Sequence, residues 1–361
     1  MFSKVKAAQK KYKRTIIIAA IIGGFILDAL TLQQIDRVFD NAIFITHILI
    51  LGTCIALLFS KNTERGIKLK IAQRERFINT LVIFSFGALF SGFIIFYGRS
   101  GSLLSSWPFL LLLLGLMLGT EIKRAYYENV VFQISFYYLA IFSYLIFFLP
   151  VLFAEVGVLM FLVSGIVSLF AIFLYLQILK KINTEIFREY IPKIRLRVFI
   201  IFVLFNILYF TNIIPPVPLS LKFKAIYHSI EKTGDNSYLG TYEEASWYNI
   251  FETRSRTVHK EEGSPVYVFA SVFAPTRLET DIYHSWHYYD KENVRWVKTD
   301  RIRIPISGGR DEGFRGYSRK QNLWPGKWKV IIETERGQRL GQIRFSISDK
   351  NITPQLIQEQ L

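Results

Sequence analysis

The residues best suited to chemistry lie between Ile306 and Lys320, which read ISGGRDEGFRGYSRK. Basic, glycine-rich loops in many enzymes wrap around phosphate groups. This segment lacks the G-x-x-x-x-G-K-S/T pattern of a nucleotide-binding loop, and strands rather than a helix are predicted after it. We interpret its glycines as positions that allow positive φ in a long loop between strands; they are Gly308, Gly309, Gly313 and Gly316.

The charged side chains of the same segment leave two interpretations open. Its cations can grip an anionic or hydroxyl-rich partner through charge-assisted hydrogen bonds. Alternatively, Asp311 and Glu312 pair with the arginines and make the loop self-contained. The candidate ligand-binding residues here are Arg310, Asp311, Arg315, Tyr317, Arg319 and Lys320.

A second chemical pattern is His284-Ser-Trp-His287 in an aromatic-rich stretch. On a strand, residues three apart point to opposite faces, so the two histidines make a poor metal site. His284 shares its predicted face with Trp286, and both are candidates for stacking on or binding a sugar, although aromatic-rich strands of this kind more often form the core of a sandwich. No nucleophile elbow and no Ser-His-Asp order is present. We therefore expect no catalytic residues, no metal and no cofactor, although an enzymatic role stays open.

The elements that position these residues divide the chain in two. Residues 1–213 carry 22 Lys/Arg and 10 Asp/Glu, and the basic excess alternates with long apolar runs. A nucleic-acid-binding protein would place that excess on one soluble face, so nucleic acid is not an expected partner. The single cysteine, Cys54, lies in an apolar run and excludes a disulfide framework.

Seven apolar segments are each long enough to cross a hydrocarbon layer of about 30 Å as a helix. The segments are Thr15–Leu32, Ala42–Ser60, Ile78–Tyr97, Leu103–Thr120, Val130–Leu149, Val156–Leu179 and Val198–Ile214. Isolated strands are excluded because their backbone groups would stay unpaired in lipid. The sequence thus predicts a membrane-spanning helical bundle over residues 1–214, in contact with the lipid bilayer.

Charge predicts the orientation of this bundle. The N-terminal tail and every second connection between the predicted spans together hold 20 Lys/Arg, whereas the remaining connections hold only Arg37 and Arg99. Because cations are retained on the cytoplasmic side, the N-terminus is expected inside and everything after Ile214 outside. Tyr97, Trp107 and Tyr209 are expected at the outer membrane boundary, and the basic stretch 180–197 is expected to lie on the inner leaflet.

Polar residues inside the predicted spans are few. Asp28 and His47 each lie about 6–8 Å below the outer boundary of adjacent helices, at 1.5 Å per residue. A buried carboxylate needs a partner. We expect Asp28 to accept a hydrogen bond from His47, or from Arg37 in the connection between the two helices; the alternative is that Asp28 faces interfacial water.

Residues 215–361 are different in character. Eight runs rich in β-branched and aromatic residues alternate with turn signals, and several show period two. Trp328, Val330 and Ile332 are predicted to share a buried face, and VYVFASVFA is predicted to be a central strand because it is apolar on both faces. ETERGQR is predicted to be a hairpin turn that needs positive φ at Gly337. The expected fold is an antiparallel all-β sandwich, immunoglobulin-like in the broad sense.

Several stretches carry a resemblance: PVYVFASVFAPT, IYHSWHYYD, DRIRIPISGGRDEGFRGYSRK and PGKWKVIIETERGQRLGQIRF. They resemble a bacterial domain family of unknown function found at the C-terminal end of inner-membrane proteins. GFILDALTLQQIDRVFDN and LYFTNIIPPVPLSL resemble its usual membrane domain, which is also uncharacterised. The resemblance implies a polytopic inner-membrane anchor and a periplasmic β domain, and it supplies no activity.

Two functional hypotheses follow. In the first, the membrane helices anchor a periplasmic sandwich that binds an envelope component, whether glycan, lipid headgroup or partner protein. In the second, the helices themselves act as a transporter, lipid-handling enzyme or sensor, and the β domain regulates them. The sequence indicates neither a ligand nor an oligomeric state.

Overall fold

The computed structural model describes residues 22–60, 68–101, 103–122, 129–233, 237–245, 254–259, 263–309, 312–348 and 354–361. The chain divides into two compact units: the first comprises Met1–Gly98 and Ser106–Pro218, and the second comprises Leu219–Leu361 together with the short segment Arg99–Ser105. The first is helical and the second is built of strands.

Seven helices are described in the first unit. They are α1 (Ile22–Thr31), α2 (Val38–Ser60), α3 (Lys68–Ser100), α4 (Leu103–Ile122), α5 (Val130–Phe153), α6 (Val158–Ile182) and α7 (Thr184–Phe210). Four stretches are long and apolar enough to cross a membrane: Val38–Ser60, Arg74–Ser100, Val130–Phe153 and Val158–Ile182. The apolar windows of α3 and α5 are 67% buried, against 39% in α2 and 33% in α6, so α3 and α5 are the central helices.

An aromatic cluster joins α2, α3 and α5. The rings of Phe93, Phe96, Tyr144 and Phe147 have centroids 5.4–5.8 Å from that of Phe44. Aromatic pairs at these separations add favourable edge and offset contacts to the burial of apolar area. The cluster therefore fixes α2 against both central helices.

The three predicted boundary aromatics differ in their surroundings. Tyr97 is fully buried and donates a 2.9 Å hydrogen bond to the carbonyl of Ser143. Tyr209 is also buried, and its ring lies parallel to that of Phe161 with centroids 3.7 Å apart. Trp107 is 57% exposed. Their position at the outer membrane boundary stays a prediction.

The basic stretch 180–197 spans the end of α6 and the beginning of α7, and its position on the inner leaflet stays a prediction. Asn183 ends α6 and begins α7, and its side chain accepts a 3.1 Å hydrogen bond from the backbone N–H of Ile186. The helix then continues past Pro192 to Phe210 without interruption. The basic stretch therefore forms the first turns of the last helix, because an N-cap at Asn183 lets a single helix extend through it.

The second unit contains eleven described strands. They are β1 (Ser220–Tyr227), β2 (Ser229–Lys232), β3 (Tyr238–Glu243), β4 (Thr257–His259), β5 (Val266–Phe273), β6 (Glu279–Asp290), β7 (Arg295–Ser307), β8 (Phe314–Lys320), β9 (Gly326–Thr334), β10 (Arg339–Ser348) and β11 (Leu356–Gln360). Every predicted run forms a strand, and the first one divides at His228 into β1 and β2. β4 and β11 are additional short strands.

The strands form three sheets. A five-stranded sheet has the order β4-β10-β9-β6-β7, a three-stranded sheet the order β1-β5-β8, and a second three-stranded sheet the order β11-β3-β2. All neighbours are antiparallel except β4 and β10, which are parallel. The unit is therefore rich in antiparallel pairs without being purely antiparallel as predicted.

Strand β5, at the centre of the β1-β5-β8 sheet, is covered on both faces. Val266 and Val268 of β5 pack with Trp286, Trp328 and other residues of the five-stranded sheet. Phe269 packs on the opposite side, with aromatic residues that include Tyr238 of the β11-β3-β2 sheet. This double burial confirms β5 as a central strand that is apolar on both faces.

The period-two predictions for β9 and its hairpin are confirmed. Trp328, Val330 and Ile332 are all fully buried. Gly337 adopts φ +81° in the turn that joins β9 to β10. Cys54 is a free, buried cysteine in α2, as its apolar surroundings indicate.

Candidate binding face of the β unit

The loop before β8 is fixed by its main chain. The N–H of Gly308 donates to Leu278 at 2.8 Å, and that of Gly309 donates to Ala274 at 3.2 Å. A Cβ at Gly308 would lie 1.8 Å from the carbonyl oxygen of Pro275, so only glycine fits this approach. Gly309 and Gly313 have φ of +92° and +84°. The prediction of positive φ is thus confirmed for Gly309 and Gly313 and wrong for Gly308 and Gly316, which instead allow close approach to Pro275 and Ile304.

Arg310 and Asp311 lie outside the described residues. The predicted ion pairs that involve these two residues therefore stay a prediction. The rest of the predicted set is on β8, where Arg315, Tyr317 and Arg319 alternate on one face. Lys320 projects from the opposite face.

Lys320 is committed to a structural contact. Its ammonium forms an ion pair with Asp300 of β7 and lies 5.8 Å from the ring centroid of Trp328. The side chain is only 12% exposed. The hydrogen bond from Lys320 holds the pKa of Asp300 below its usual range. Lys320 therefore joins β8 to the edge of the five-stranded sheet and presents little surface to a ligand.

His284 and Trp286 are both fully buried between the five-stranded sheet and the β1-β5-β8 sheet. His284 Nδ1 lies 2.9 Å from Ser318 Oγ, and Trp286 Nε1 donates to the same oxygen at 3.1 Å. Burial lowers the pKa of His284 to about 3, so the imidazole is neutral. Neither side chain can reach a ligand at the surface.

The exposed face of β8 carries an aromatic cluster that we call the tyrosine platform, formed by Tyr238, Tyr267 and Tyr317. Tyr317 is 39% exposed, and its ring centroid lies 5.9 Å from that of Tyr238 and 5.8 Å from that of Tyr267. Arg319 is exposed beside the platform, directly opposite Tyr267 in the β5–β8 register.

Arg315, on the same face, has a defined role. Its Nη1 donates a 3.0 Å hydrogen bond to the main-chain oxygen of Leu361. Leu361 in turn exchanges backbone hydrogen bonds with Tyr238. Arg315 therefore connects β8 to the residues that place Tyr238 in the platform.

Sequence patterns missed two members of this face. Tyr238 comes from β3 and Tyr267 from β5, at distances along the chain that no local pattern joins to Tyr317. One sequence signal could have pointed to them. VYVFASVFA is apolar on both faces, which indicates that another layer of the protein covers the second face of β5.

Two histidines that no pattern placed meet at one carboxylate. Glu243 is buried and lies 2.7 Å from His228 Nε2 and 2.9 Å from His259 Nδ1. The pKa of Glu243 is lowered, since hydrogen bonds from both histidines outweigh the opposing effect of burial. Among the described residues no group of three or more side chains is arranged to hold a metal ion.

The predicted bond to Asp28 in the helical unit is not formed by the described residues. Arg37 Nη1 donates to Gln33 Oε1 at 2.6 Å, and His47 Nδ1 lies 3.3 Å from Ser85 Oγ. Asp28 lies near enough to His47 for an electrostatic interaction, and beside Ser91. The carboxylate that organises this connection is Asp40, in the first turn of α2, which accepts hydrogen bonds from the backbone N–H groups of Gln33 and Gln34 at 3.0 Å.

Part of the β unit matches a family model. Residues 279–347, from β6 to β10, match the model of a protein family of unknown function, DUF2914. No curated protein matches the chain.

Seven chains of solved structures match. A β-glucosidase from Listeria innocua in complex with gluconolactone is 9% identical over 35% of this chain and 18% of its own, with a TM-score of 0.20. The alkylpurine DNA glycosylase AlkC of Pseudomonas fluorescens, bound to DNA containing an abasic site analog, is 10% identical over 87% of this chain and 99% of its own, with a TM-score of 0.23. This chain thus spans less than a fifth of the glucosidase. Neither likeness is strong enough to carry a functional argument.

What the described residues establish is a helical unit with four helices apolar enough to span a membrane, followed by a β unit that contains a domain of unknown function.

Proposed function

We propose that the chain is a membrane-anchored binding protein of the bacterial cell envelope. In this proposal seven helices cross the inner membrane, the N-terminus is cytoplasmic, and the β unit is a periplasmic domain, immunoglobulin-like in the broad sense. The support is the set of four long apolar helices and the alternation of basic and non-basic connections along the sequence.

The tyrosine platform is the proposed binding site, and a glycan is the proposed ligand. The observation that carries this is the exposure of Tyr317 where it meets the rings of Tyr238 and Tyr267, with Arg319 exposed beside them. A tyrosine combines an apolar ring with a polar tip, which suits the apolar face and hydroxyl rim of a sugar. A guanidinium beside it can donate paired hydrogen bonds to an acidic substituent.

The test is binding of soluble peptidoglycan fragments to the full-length protein in neutral detergent, measured by calorimetry. Tyr317→Ala should weaken binding by roughly 2–10-fold, the equivalent of about 0.5–1.5 kcal/mol for one aromatic contact. Tyr317→Phe should retain most of the affinity because it keeps the ring. Arg319→Ala should also weaken binding, whereas Arg277→Ala, which removes an exposed arginine away from β8, should not. Absence of binding by the unaltered protein would reject the proposal for this ligand.

A second candidate function rests on the polar residues of the helical unit. Asp28 and His47 interact electrostatically, with Ser85 and Ser91 next to them on α3. Polar groups in apolar helices are typical of transport, lipid-handling and sensing sites. If the helices carry such a function, Asp28→Asn should abolish it while the protein still binds glycans with unchanged affinity.

A further inference from the structure

The outer face of the five-stranded sheet carries an uninterrupted row of basic residues. His287 of β6 is paired in register with Lys298 of β7 on one side and with Lys329 of β9 on the other. Lys329 is paired in turn with Arg344 of β10. These four residues, which we call the cationic row, follow one another across four adjacent strands. Directly opposed residues in antiparallel strands project to the same face, so the four side chains share one surface.

Within the part of the chain that the structure describes, no carboxylate forms an ion pair with the row. The nearby acids are already engaged. Glu333 pairs with Arg301 at 3.3 Å, and Asp281 pairs with Arg303 at 2.7 Å. Asp290 caps its own turn by accepting from the backbone N–H groups of Glu292 and Asn293. Like charges opposite one another in a sheet are unfavourable, so an external anion would relieve this repulsion.

Burial and neighbouring cations both act on the titration of the row. The pKa of Lys329 is lowered by burial and then by Arg339 and Arg344. The pKa of His287 is lowered chiefly by burial; Lys329 and Lys298 lower it further, and the Ser285 carbonyl and Glu333 oppose this lowering. An anion bound along the row would favour the charged form of both groups.

The surroundings of the row select among polyanions. Lys329 Nζ lies 4.5 Å from the ring centroid of Trp296, and Lys327 Nζ lies 6.0 Å from that of Tyr289. The two rings are half-buried, with centroids 5.1 Å apart. Because cations cover these rings, they offer neither protruding apolar groups for insertion into a bilayer nor free platforms for unstacked bases.

The geometry of the row matches a linear chain of acidic groups. Adjacent strands lie about 4.8 Å apart, so the row extends roughly 14 Å across the four strands in a straight line. We propose that the cationic row binds a linear acidic polysaccharide laid across the strands, with its carboxylates on Lys298, Lys329 and Arg344. The tyrosine platform belongs to the other side of a different sheet, so this inference does not depend on the proposed function.

The experiment uses polygalacturonate, a linear polymer with one carboxylate per sugar, and the full-length protein in neutral detergent. The row variant Lys298→Gln, Lys329→Gln, Arg344→Gln removes three charges from the row. The control variant Lys232→Gln, Arg277→Gln, Lys291→Gln removes three exposed charges elsewhere in the β unit. We expect the row variant to bind at least tenfold more weakly, and the control to bind within twofold of the unaltered protein.

Further measurements keep the inference falsifiable. Equal thermal midpoints of the two variants would show that the row variant is folded; if it is not, the single variant Arg344→Gln, at an exposed position, should still weaken binding severalfold. If the row and control variants lost equal affinity for polygalacturonate, binding would depend only on the net charge of the protein, and the proposal would be overturned. Row-dependent binding that is tighter to vesicles of anionic phospholipid or to duplex DNA than to polygalacturonate would also overturn it. No binding of polygalacturonate at low salt would overturn it as well.

Discussion

His284 of β6 and Ser318 of β8 join the five-stranded sheet to the β1-β5-β8 sheet through a contact of 2.9 Å between Nδ1 and Oγ. The imidazole is fully buried, and its Nε2 has no hydrogen-bond partner among the described residues. A protonated ring would place an uncompensated charge inside the core. This arrangement makes the stability of the β unit depend on keeping His284 neutral.

The first prediction is a loss of stability in acid. The folded-state pKa of His284 is about 3, below its ordinary value of 6.5. The stabilisation is therefore fully present above about pH 6.5 and declines as the pH falls towards 3, by at most about 1.4 kcal/mol per unit. Thermal unfolding followed by tryptophan fluorescence between pH 7 and 4 measures this. The His284→Gln variant should have a shallower pH dependence, and an identical slope in both proteins would contradict the assignment.

Trp328 provides the second prediction. Its side chain is fully buried in the core between the five-stranded sheet and the β1-β5-β8 sheet, and its Nε1 donates to the carbonyl of Trp324 at 2.9 Å. Trp328→Ala should lower the free energy of unfolding by about 3–5 kcal/mol. The matched control is Trp107→Ala, because Trp107 is 57% exposed. Chemical denaturation of both variants measures the difference, and equal midpoints would be inconsistent with a core role for Trp328.

The burial of Trp328 could be predicted from sequence, whereas the burial of His284 could not. In β9, lysines alternate with Trp328 and Val330, so polarity alone identifies the inner face. In β6 the two faces are nearly alike, one with His284 and Trp286 and the other with Ser285 and His287. Which side is buried depends on the sheet packed against it, and that information lies far away in the chain.

The same distinction applies to the candidate site. Arg315, Tyr317 and Arg319 could be assigned to one face from their alternation on a predicted strand. Their neighbours Tyr238 and Tyr267 could not be found, because the contact needs a third sheet whose strands come from distant parts of the chain. In the helical unit, local charge indicates where helices end. It cannot predict that the hydroxyl of Tyr97 donates to the buried carbonyl of Ser143.

Glu243 yields the third prediction. This buried carboxylate contacts His228, which lies between β1 and β2, and His259, the last residue of β4, so it ties β3 to both places. Its folded-state pKa is below the ordinary value of 4.5, so its stabilisation is present above pH 4.5 and is lost as the pH falls through the folded-state pKa. Glu243→Gln should cost about 1.5–3 kcal/mol at pH 7, as expected for hydrogen bonds to a charged group.

The comparison for Glu243 is Glu231→Gln, which changes an exposed carboxylate on β2. Denaturation midpoints at pH 7 and pH 4 separate the two variants. The gap between the Glu243 variant and the unaltered protein should narrow at pH 4. A gap that is the same at both values would show that the charge of Glu243 is unimportant.

The fourth prediction concerns topology. The alternation of basic connections predicts that reporter fusions after Arg76 and Asn129 are cytoplasmic and that a fusion after Leu361 is periplasmic. Paired alkaline phosphatase and fluorescent-protein fusions at each position measure the side directly. A cytoplasmic reading at Leu361 would reject the periplasmic placement of the β unit.

The last prediction tests how α2 and α3 are held together. A Cβ built at Gly92 of α3 would lie 2.5 Å from Cζ of Phe44, far inside contact distance. Phe44 cannot turn aside easily because four other aromatic rings surround it. Alanine is intrinsically better than glycine in a helix by about 1 kcal/mol, so the clash must exceed this gain to destabilise the protein. Overpacking of this kind costs about 1–3 kcal/mol.

Gly92→Ala should therefore lower the thermal midpoint in detergent, whereas Gly87→Ala in the same helix should leave it unchanged or raise it, because nothing lies within 4 Å of that position. Phe44→Leu alone should also destabilise the protein, since it removes the ring at the centre of the aromatic cluster. Combined with Gly92→Ala, it should cost less than the sum of the two single changes, because the smaller side chain makes room for the new methyl group. Strictly additive losses would show that α2 and α3 do not meet at Gly92 and Phe44.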